Sequence, residues 1–478
     1  MTHDWWQSRL SYVANRRPKG RAFAAFNLNV DVVARVTPAA VERLMRETPD
    51  LDWDQVRSID VDALRSVRTR EEFVAVLRHG FRTGKSALLV RETEEFVPWW
   101  RQIFTDRTES MGGQAGIIAN QMAALGAASV VYSPLLSPRQ ASFFLDGVTW
   151  PVGEGDGVRY VPAQAAGRPA DLTREPWVFE YKKGETFSFP DGAITTPRAN
   201  RAIITTAVQG PERRFHADIH RWLPQLGADL DVAFLAGYHQ CGDRPDDLDA
   251  VRRYIDESRQ DLERLTSRNP ALKLHVEYVP AKVREVETEI YRTLGRAIHS
   301  FGINETEMRA VMRRFGRDDL AAGLEQDERA FLLYQGARVL LQELGVERVH
   351  VHNLGYYVVV LKKPYHCPPE VVRDACLFAS AVNARKAQAG GFVTAESLAH
   401  VASLPLSDVG FAQLQRFAAE VREQGAPLQP VDHGIWDGGD HYVLVTPAHI
   451  VPHPVATVGM GDTISSSAYY YEVCEAKS

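Results

Sequence analysis

The sequence predicts an α/β fold: a mostly parallel central sheet flanked by helices on both faces, with a small inserted α+β domain. Three observations predict it. After about residue 210, apolar runs of strand length alternate with amphipathic runs of helix length. Two stretches, 36–108 and 146–207, break that alternation with Trp-containing turns, Gly and Pro. The chain, 478 residues and 45% hydrophobic, is long enough for one large core and a smaller one. The large domain is therefore assigned to 1–35, 109–145 and 208–478. The small one takes 36–108 and 146–207, as a lid over the carboxyl ends of the main strands, where such sheets hold ligands.

Along the chain, Trp5, Trp6, Leu10 and Val13 have the spacing of a helix docked on the main domain. Phe26 to Asp31 reads as a strand ending in polar groups, with Asn27, Asn29 and Asp31 on one face. Gly112-Gly113-Gln114-Ala115-Gly116 is a glycine turn running into a helix that carries Asn120. Asp229–Gly237 reads as a buried strand, Asp246–Ser267 as an amphipathic helix and Lys273–Val279 as a strand. Helices follow at Val283–His299 and Glu328–Leu344, then a strand at Arg348–His352. The Arg-rich helix from Ala250 to Arg268 has acidic partners at i+3 and i+4, the pattern of a solvated face.

Charge excludes several classes. The net charge is −6 with both signs interspersed, which gives no signature of a nucleic acid or membrane-surface partner. The first twenty residues lack an apolar h-region and no run of about eighteen apolar residues occurs, so a cytoplasmic protein is expected. Cys241, Cys367, Cys376 and Cys474 lack metal-ligand spacing and read as free buried thiols. His350 and His352 alternate on a strand without a third ligand in sight, which favours a packed polar face over a zinc site.

Chemistry concentrates in five places. Gly459-Met460-Gly461-Asp462-Thr463 follows a strand-like run and opens a helix. Two glycines let backbone N–H groups approach an anion, and the helix start adds orphan N–H donors and its positive dipole end. Asp462 there is placed to take a proton from a hydroxyl that attacks phosphorus; the same residue also fits an ordinary helix N-cap. In His275-Val276-Glu277 the period of two puts His275 and Glu277 on one face, where Glu277 suits a magnesium-bound water. Asn304 and Glu307 fall on one helical turn, either near Mg²⁺ or as a capping pair. Asn29 and Asp31 suit paired sugar hydroxyls, and Gly112 and Gly113 allow close backbone approach to a ligand.

Together the motifs Asn-Leu-Asn-Val-Asp, Gly-Gly-Gln-Ala-Gly-Ile-Ile-Ala-Asn, His-Val-Glu, Asn-Glu-Thr-Glu and Gly-Met-Gly-Asp-Thr-Ile-Ser-Ser, in that order, resemble the ADP-dependent glucokinase and phosphofructokinase family of the ribokinase-like fold. The resemblance runs from about Phe23 to Glu472. It implies transfer of the β-phosphoryl group of ADP to a sugar hydroxyl, with release of AMP and with Mg²⁺ as cofactor. It makes Asp462 the base, with Gly459 and Gly461 forming an anion hole, and it brings Arg201, or else Arg198, to the ADP phosphates. Glu277, Glu307, Asn304 and Asp462 surround the metal. Asn29, Asp31, Gly112, Gly113 and Gln114 hold the sugar, and Val451, Pro452, His453, Pro454, Val458 and Met460 line the nucleotide site. A monomer is expected, with ADP and a sugar or sugar phosphate as its partners.

Glucose-using members carry a Glu soon after a Gly-Lys pair in the lid, whereas here Gly84-Lys85-Ser86-Ala87-Leu88 aligns Leu88 with it. Lys182 and Lys183 are placed to pair with a sugar phosphate, or are solvated turn lysines. Fructose 6-phosphate is accordingly favoured over glucose. The acidic group at Glu92, Glu94 and Glu95 beside Arg91 is the alternative source of a glucose contact. Two other classes stay open: a ribokinase-like kinase using ATP or acting on a nucleoside or specialised metabolite, and a silent sugar- or nucleotide-binding protein.

Overall fold

The computed structural model describes residues 3–93, 95–206, 212–455 and 459–477. Seven neighbouring strands of the large sheet run parallel: Arg348–Asn353, Ser300–Asn304, Lys273–Glu277, Val232–Leu235, Arg21–Ala25, Ala128–Tyr132 and Val148–Glu154. Antiparallel strands close both edges, Tyr356–Lys362 and His441–Pro447 on one side and Gly157–Pro162 on the other. Every side chain of Val232–Leu235 is buried, because helices cover both faces. The expected fold class holds.

Local sequence explains the flanking elements. Leu248–Thr266 starts where the Asp247 side chain accepts from Ala250 N, and on its outer face Arg259 pairs with Asp256 and Glu263. The helix His3–Ala14 buries Trp6, Leu10 and Val13, as their spacing predicts. The C-terminal helix Met460–Glu475 packs along Pro369–Ala389. It is anchored to the sheet by a fully buried ion pair, Arg348 Nε to Glu472 Oε2 at 3.0 Å.

A second sheet of six strands runs Ser66–Val67, Ala87–Arg91, Asn200–Thr206, Trp177–Tyr181, Asn29–Arg35 and Arg107–Gly112. One face packs Val32, Ala34, Trp177, Phe179, Ala202 and Ile204 against Phe73 and Trp100. The alternate residues, among them Asp31, Glu180, Arg201 and Leu88, lie on the opposite, open face.

These pairings correct the expected boundaries. The chain leaves the large sheet after Ala25 and enters the small one at Asn29, so Phe26–Leu28 is a crossing and not part of one strand. Arg107–Gly112 also belongs to the small sheet. Val148–Pro162, expected in the lid, is an edge hairpin of the large sheet. Short strands around Gly155 have the same local pattern in any edge hairpin, so sequence alone did not say which sheet they join.

Four charges tie the two sheets at this crossing. Arg139, on the short body helix Pro138–Ala141, pairs with Glu175 and, at 2.6 Å, with Glu109 of the small sheet. Arg101 reaches Glu109 and Glu175, both at 2.8 Å, and Trp177 Nε1 donates to Glu175 Oε1 at 2.8 Å. Glu175 is 5% exposed and answers two guanidinium groups. Glu175→Gln is therefore expected to destabilise the protein by about 2 kcal/mol, since it removes the buried negative charge that two half-buried guanidinium groups share. Urea unfolding measures this, and an unchanged midpoint would make the network mere surface charge.

Candidate functional site

The carboxyl ends of three parallel strands build the floor of the site. Glu277 ends Lys273–Glu277, and its Oε1 accepts from His352 Nε2 at 2.6 Å while Oε2 lies 3.3 Å from His275 Nε2. Burial opposes ionising Glu277, but His352 and His275 outweigh it and hold the carboxyl at about 2. Burial likewise opposes charging His352, and Glu277 prevails, raising its pKa. Between the two lies Gly302, in register with Glu277. A Cβ there would sit 1.9 Å from Glu277 Oε2 and 2.9 Å from Ser465 Oγ, so only glycine lets the carboxylate cross the neighbouring strand.

Above this floor stands the turn at Gly459. Gly459 has φ +67 and no side chain caps the helix that starts at Met460, which leaves its first N–H groups for an anion. Asp462, in the first turn, points elsewhere: its Oδ1 accepts from Gln114 Nε2 at 3.1 Å. Burial first, then nearby Glu277, raise Asp462 to about 6. Gln114 begins its helix after Gly113, which has φ +73 and where a Cβ would stand 2.4 Å from Asn27 O; both facts require glycine.

Asp31 completes the group. A Cβ on Gly112 would fall 2.0 Å from Asp31 Oδ1, so the carboxylate lies flat on the backbone of the paired strand. Burial and then Asp462 push Asp31 up to about 7. Glu307 is also raised to about 7, by burial, with Glu277 contributing. The capping reading of Asn304 and Glu307 is realised: Asn304 Oδ1 accepts from Glu307 N at 2.8 Å and Glu307 Oε2 from Asn304 N at 3.1 Å. A cavity of about 10 Å³, room for about one water, lies between Gln114, His275, Glu277, Asp462, Ser465 and Ser466.

The structure thus gathers Asp462, Gly459, Gly461, Gln114, Asp31, Gly112, Gly113, Glu277 and Glu307. It does not bring the lid cations to them. Trp177–Tyr181 runs outward from the crossing, so Lys182 and Lys183 are exposed in the turn beyond it. Arg201 shares the open face with Asp31 but pairs with Glu180 at the level of Arg35, four residues or about 13 Å further out. Arg198 donates Nε to Gly84 O at 2.7 Å at the same outer edge. Asn29 opens the small-sheet strand opposite Gly112. Val451, Pro452, His453 and Pro454 form a loop with His453 at φ +57, and Met460 begins the helix. Val458 lies outside the described residues.

Several residues were missed by sequence reasoning. Gly302 carried a signal, a glycine inside an apolar strand. Lys386 carried none: it is 4% exposed in Pro369–Ala389 and donates to Thr463 Oγ1 at 3.0 Å. His352 is packed, as expected, yet also serves Glu277. The four cysteines are buried, as expected. Cys367 meets His366 and Glu472 within 4.8 Å, but Glu472 is already balanced by Arg348.

The family model described as "ADP-specific Phosphofructokinase/Glucokinase conserved region" matches residues 20–471. The chain belongs to this family. The ADP-specific phosphofructokinase of Methanosarcina acetivorans is 30% identical over 465 residues, 95% of this chain and 93% of that protein. Among solved structures, the last common ancestor of ADP-dependent phosphofructokinases from Methanosarcinales matches with a TM-score of 0.83 at 29% identity, over 99% of each chain. An ADP-dependent kinase in complex with fructose-6-phosphate and ADPbetaS gives 0.80 at 27%, over 99% of this chain and 98% of that one.

As a member of this sugar-kinase family, the protein keeps an ionisable acid where an amide would be more stable. The folded pKa of Asp462, about 6, exceeds its ordinary 3.8. Stability is therefore lost as pH rises through this window. Asp462→Asn is expected to add about 2–3 kcal/mol above pH 6, with the gain vanishing below pH 4. Turnover should fall by about 10²–10⁴-fold. Unfolding and turnover measured on the same preparation across pH check both, and a neutral effect on turnover would remove Asp462 from the chemistry.

Proposed function

We propose that this protein transfers the β-phosphoryl group of ADP to a hydroxyl of fructose 6-phosphate and releases AMP. The observation that carries the choice of acceptor is a group of cations behind the Asn29–Asp31 strand. Arg174 is 3% exposed, its backbone O accepts from Val30 N at 2.8 Å, and none of its three guanidinium nitrogens has a hydrogen-bond partner among the described residues. Burial and then Arg213 lower it to about 9. Arg213 is lowered by burial, and its chain packs 2.7 Å from where a Cβ of Gly237 would stand. Lys282 donates its backbone N–H to His239 O at 2.8 Å, and burial with Arg213 lowers its ammonium. His239 is kept neutral at neutral pH, at about 3, by burial, Arg213 and Lys282.

Cations that depress one another in this way are relieved by an anion, and a phosphate monoester supplies one with several acceptor oxygens. These residues, rather than Lys182 and Lys183, are assigned to the acceptor's phosphate. Leu88 fits the same reading: it is 72% exposed on the open face of the lid sheet, where a carboxylate would repel such an acceptor.

In this reading Asn29 and Asp31 hold sugar hydroxyls, and Asp462, oriented by Gln114, takes the proton of the attacking hydroxyl. The N–H groups from Gly459 to Gly461 receive the transferring phosphoryl group, whose charge they stabilise without reorganising. The loop Val451–Pro454 borders the adenine. The acid group suits Mg²⁺: Asp31, Glu307 and Asp462 lie above the usual carboxylate range, and a hard divalent cation relieves that repulsion. Glu277 and Glu307 would hold it through water, and it would neutralise phosphate charge; Asn304 is spent as the helix cap. Closure of the lid sheet over the cleft would exclude water and so limit hydrolysis.

AMP release with Mg·ADP is expected with fructose 6-phosphate and not with glucose, and Mg·ATP should be the poorer donor. AMP formed only with glucose would overturn the acceptor, and turnover with ATP alone would overturn the donor. Separately, Arg174→Met should raise the KM for fructose 6-phosphate about 100-fold, the scale of losing one charge-assisted contact, with the KM for ADP unchanged. An equal rise for both substrates would mean that Arg174 is structural.

A further inference from the structure

Among the described residues, Lys386 is a strongly buried ammonium beside the site that the mechanism above leaves idle. It lies in the last turn of Pro369–Ala389 and is 4% exposed. Its hydrogen bond among the described residues goes to Thr463 Oγ1, at 3.0 Å. Thr463 in turn donates that hydroxyl to Gly459 O at 2.7 Å, and its N–H reaches the same oxygen at 3.1 Å. The ammonium is thus coupled, through one side chain, to the carbonyl of the glycine that shapes the anion turn. One residue further along, Ala387 O accepts from Val455 N at 2.7 Å, so the same helix end also holds the loop that borders the nucleotide.

The position needs explaining. A helix C-terminus tolerates a cation, but surface lysines do this without burial. Here the ammonium is removed from water with a neutral hydroxyl as its hydrogen-bond partner. Asp462, the next residue after Gly461, is the acid whose charge favours its protonation, against burial, which brings the lysine down to about 8. The Phe392 ring, 5.6 Å from Nζ, adds weak cation–π support. None of these balances a full buried charge; two phosphates at the adjoining helix start would.

We propose that Lys386 is a positioning residue of the phosphoryl-transfer site, which fixes the Gly459–Thr463 turn through Thr463 and sets a positive charge behind it that selects a nucleoside diphosphate over a monophosphate. This rests on the reading that the phosphates of ADP occupy that turn. Lys386 acts through Thr463 and through its field, which favours the donor ADP and weakens retention of the product AMP relative to it.

Calorimetric binding of Mg·ADP and of AMP to the wild type, to Lys386→Met and to Lys386→Arg tests this, alongside kcat and thermal unfolding. Wild type should bind ADP more tightly than AMP. In Lys386→Met that preference should shrink by at least about tenfold, with AMP affinity nearly kept, and kcat should fall about 100-fold. Its Tm should hold or rise, because an ammonium that burial disfavours is removed, and Lys386→Arg should restore much of the preference. An unchanged ADP-to-AMP ratio in a folded Lys386→Met, or equal losses for both nucleotides, would overturn the role of Lys386 while leaving the ADP-dependent reading intact. A wild type that binds ADP no better than AMP would overturn both.

Discussion

The site depends on one buried carboxylate. Glu277 is ionised at a place where burial opposes ionisation, and it remains so because His352 and His275 meet its two oxygens. That arrangement spans three strands, since Glu277 reaches across Gly302, its partner in register, to His352, which pairs with Asn304 two residues further on, and it admits no side chain at Gly302. Its field then acts outward. Asp462 and Glu307, both raised first by burial, are raised further by Glu277, so the acid beside the Gly459 turn is a stronger base than an exposed aspartate.

The cleft is electrostatically unfinished on both sides. Asp31, Asp462 and Glu307 are all raised by burial and neighbouring acids, and Arg174, Arg213 and Lys282 are all lowered, chiefly by burial. Neither group neutralises the other. In the proposed function the balancing charges come from the ligands, a cation at the acids and anions at the arginines and the helix start. This is why the acceptor is read as a phosphorylated sugar.

The small sheet depends on the same crossing. Asn29 and Gly112 enter and leave it side by side, and Asp31 lies on Gly112 two residues from the body. The Arg101–Glu109–Arg139–Glu175 group holds that crossing with alternating charge rather than apolar packing.

Much of this was legible in the sequence. Period and run length gave the parallel sheet, and the two-residue period of His275-Val276-Glu277 put both groups on one face, where they are found. The glycine turns at Gly113 and Gly459 declared themselves because positive φ is a local requirement. What failed was long-range. Charge and order along the chain point Lys182, Lys183 and Arg201 at the phosphates, but strand direction carries them to the outer end of the lid sheet. Arg174 and Lys386 look like ordinary surface cations in sequence, and only packing shows them buried and without acidic hydrogen-bond partners. The sequence by itself determined the fold class and the glycine turns, because these follow from local periodicity and backbone sterics. The tertiary structure decided which cations are buried without an acidic hydrogen-bond partner, because burial and charge balance belong to contacts between residues far apart in the chain.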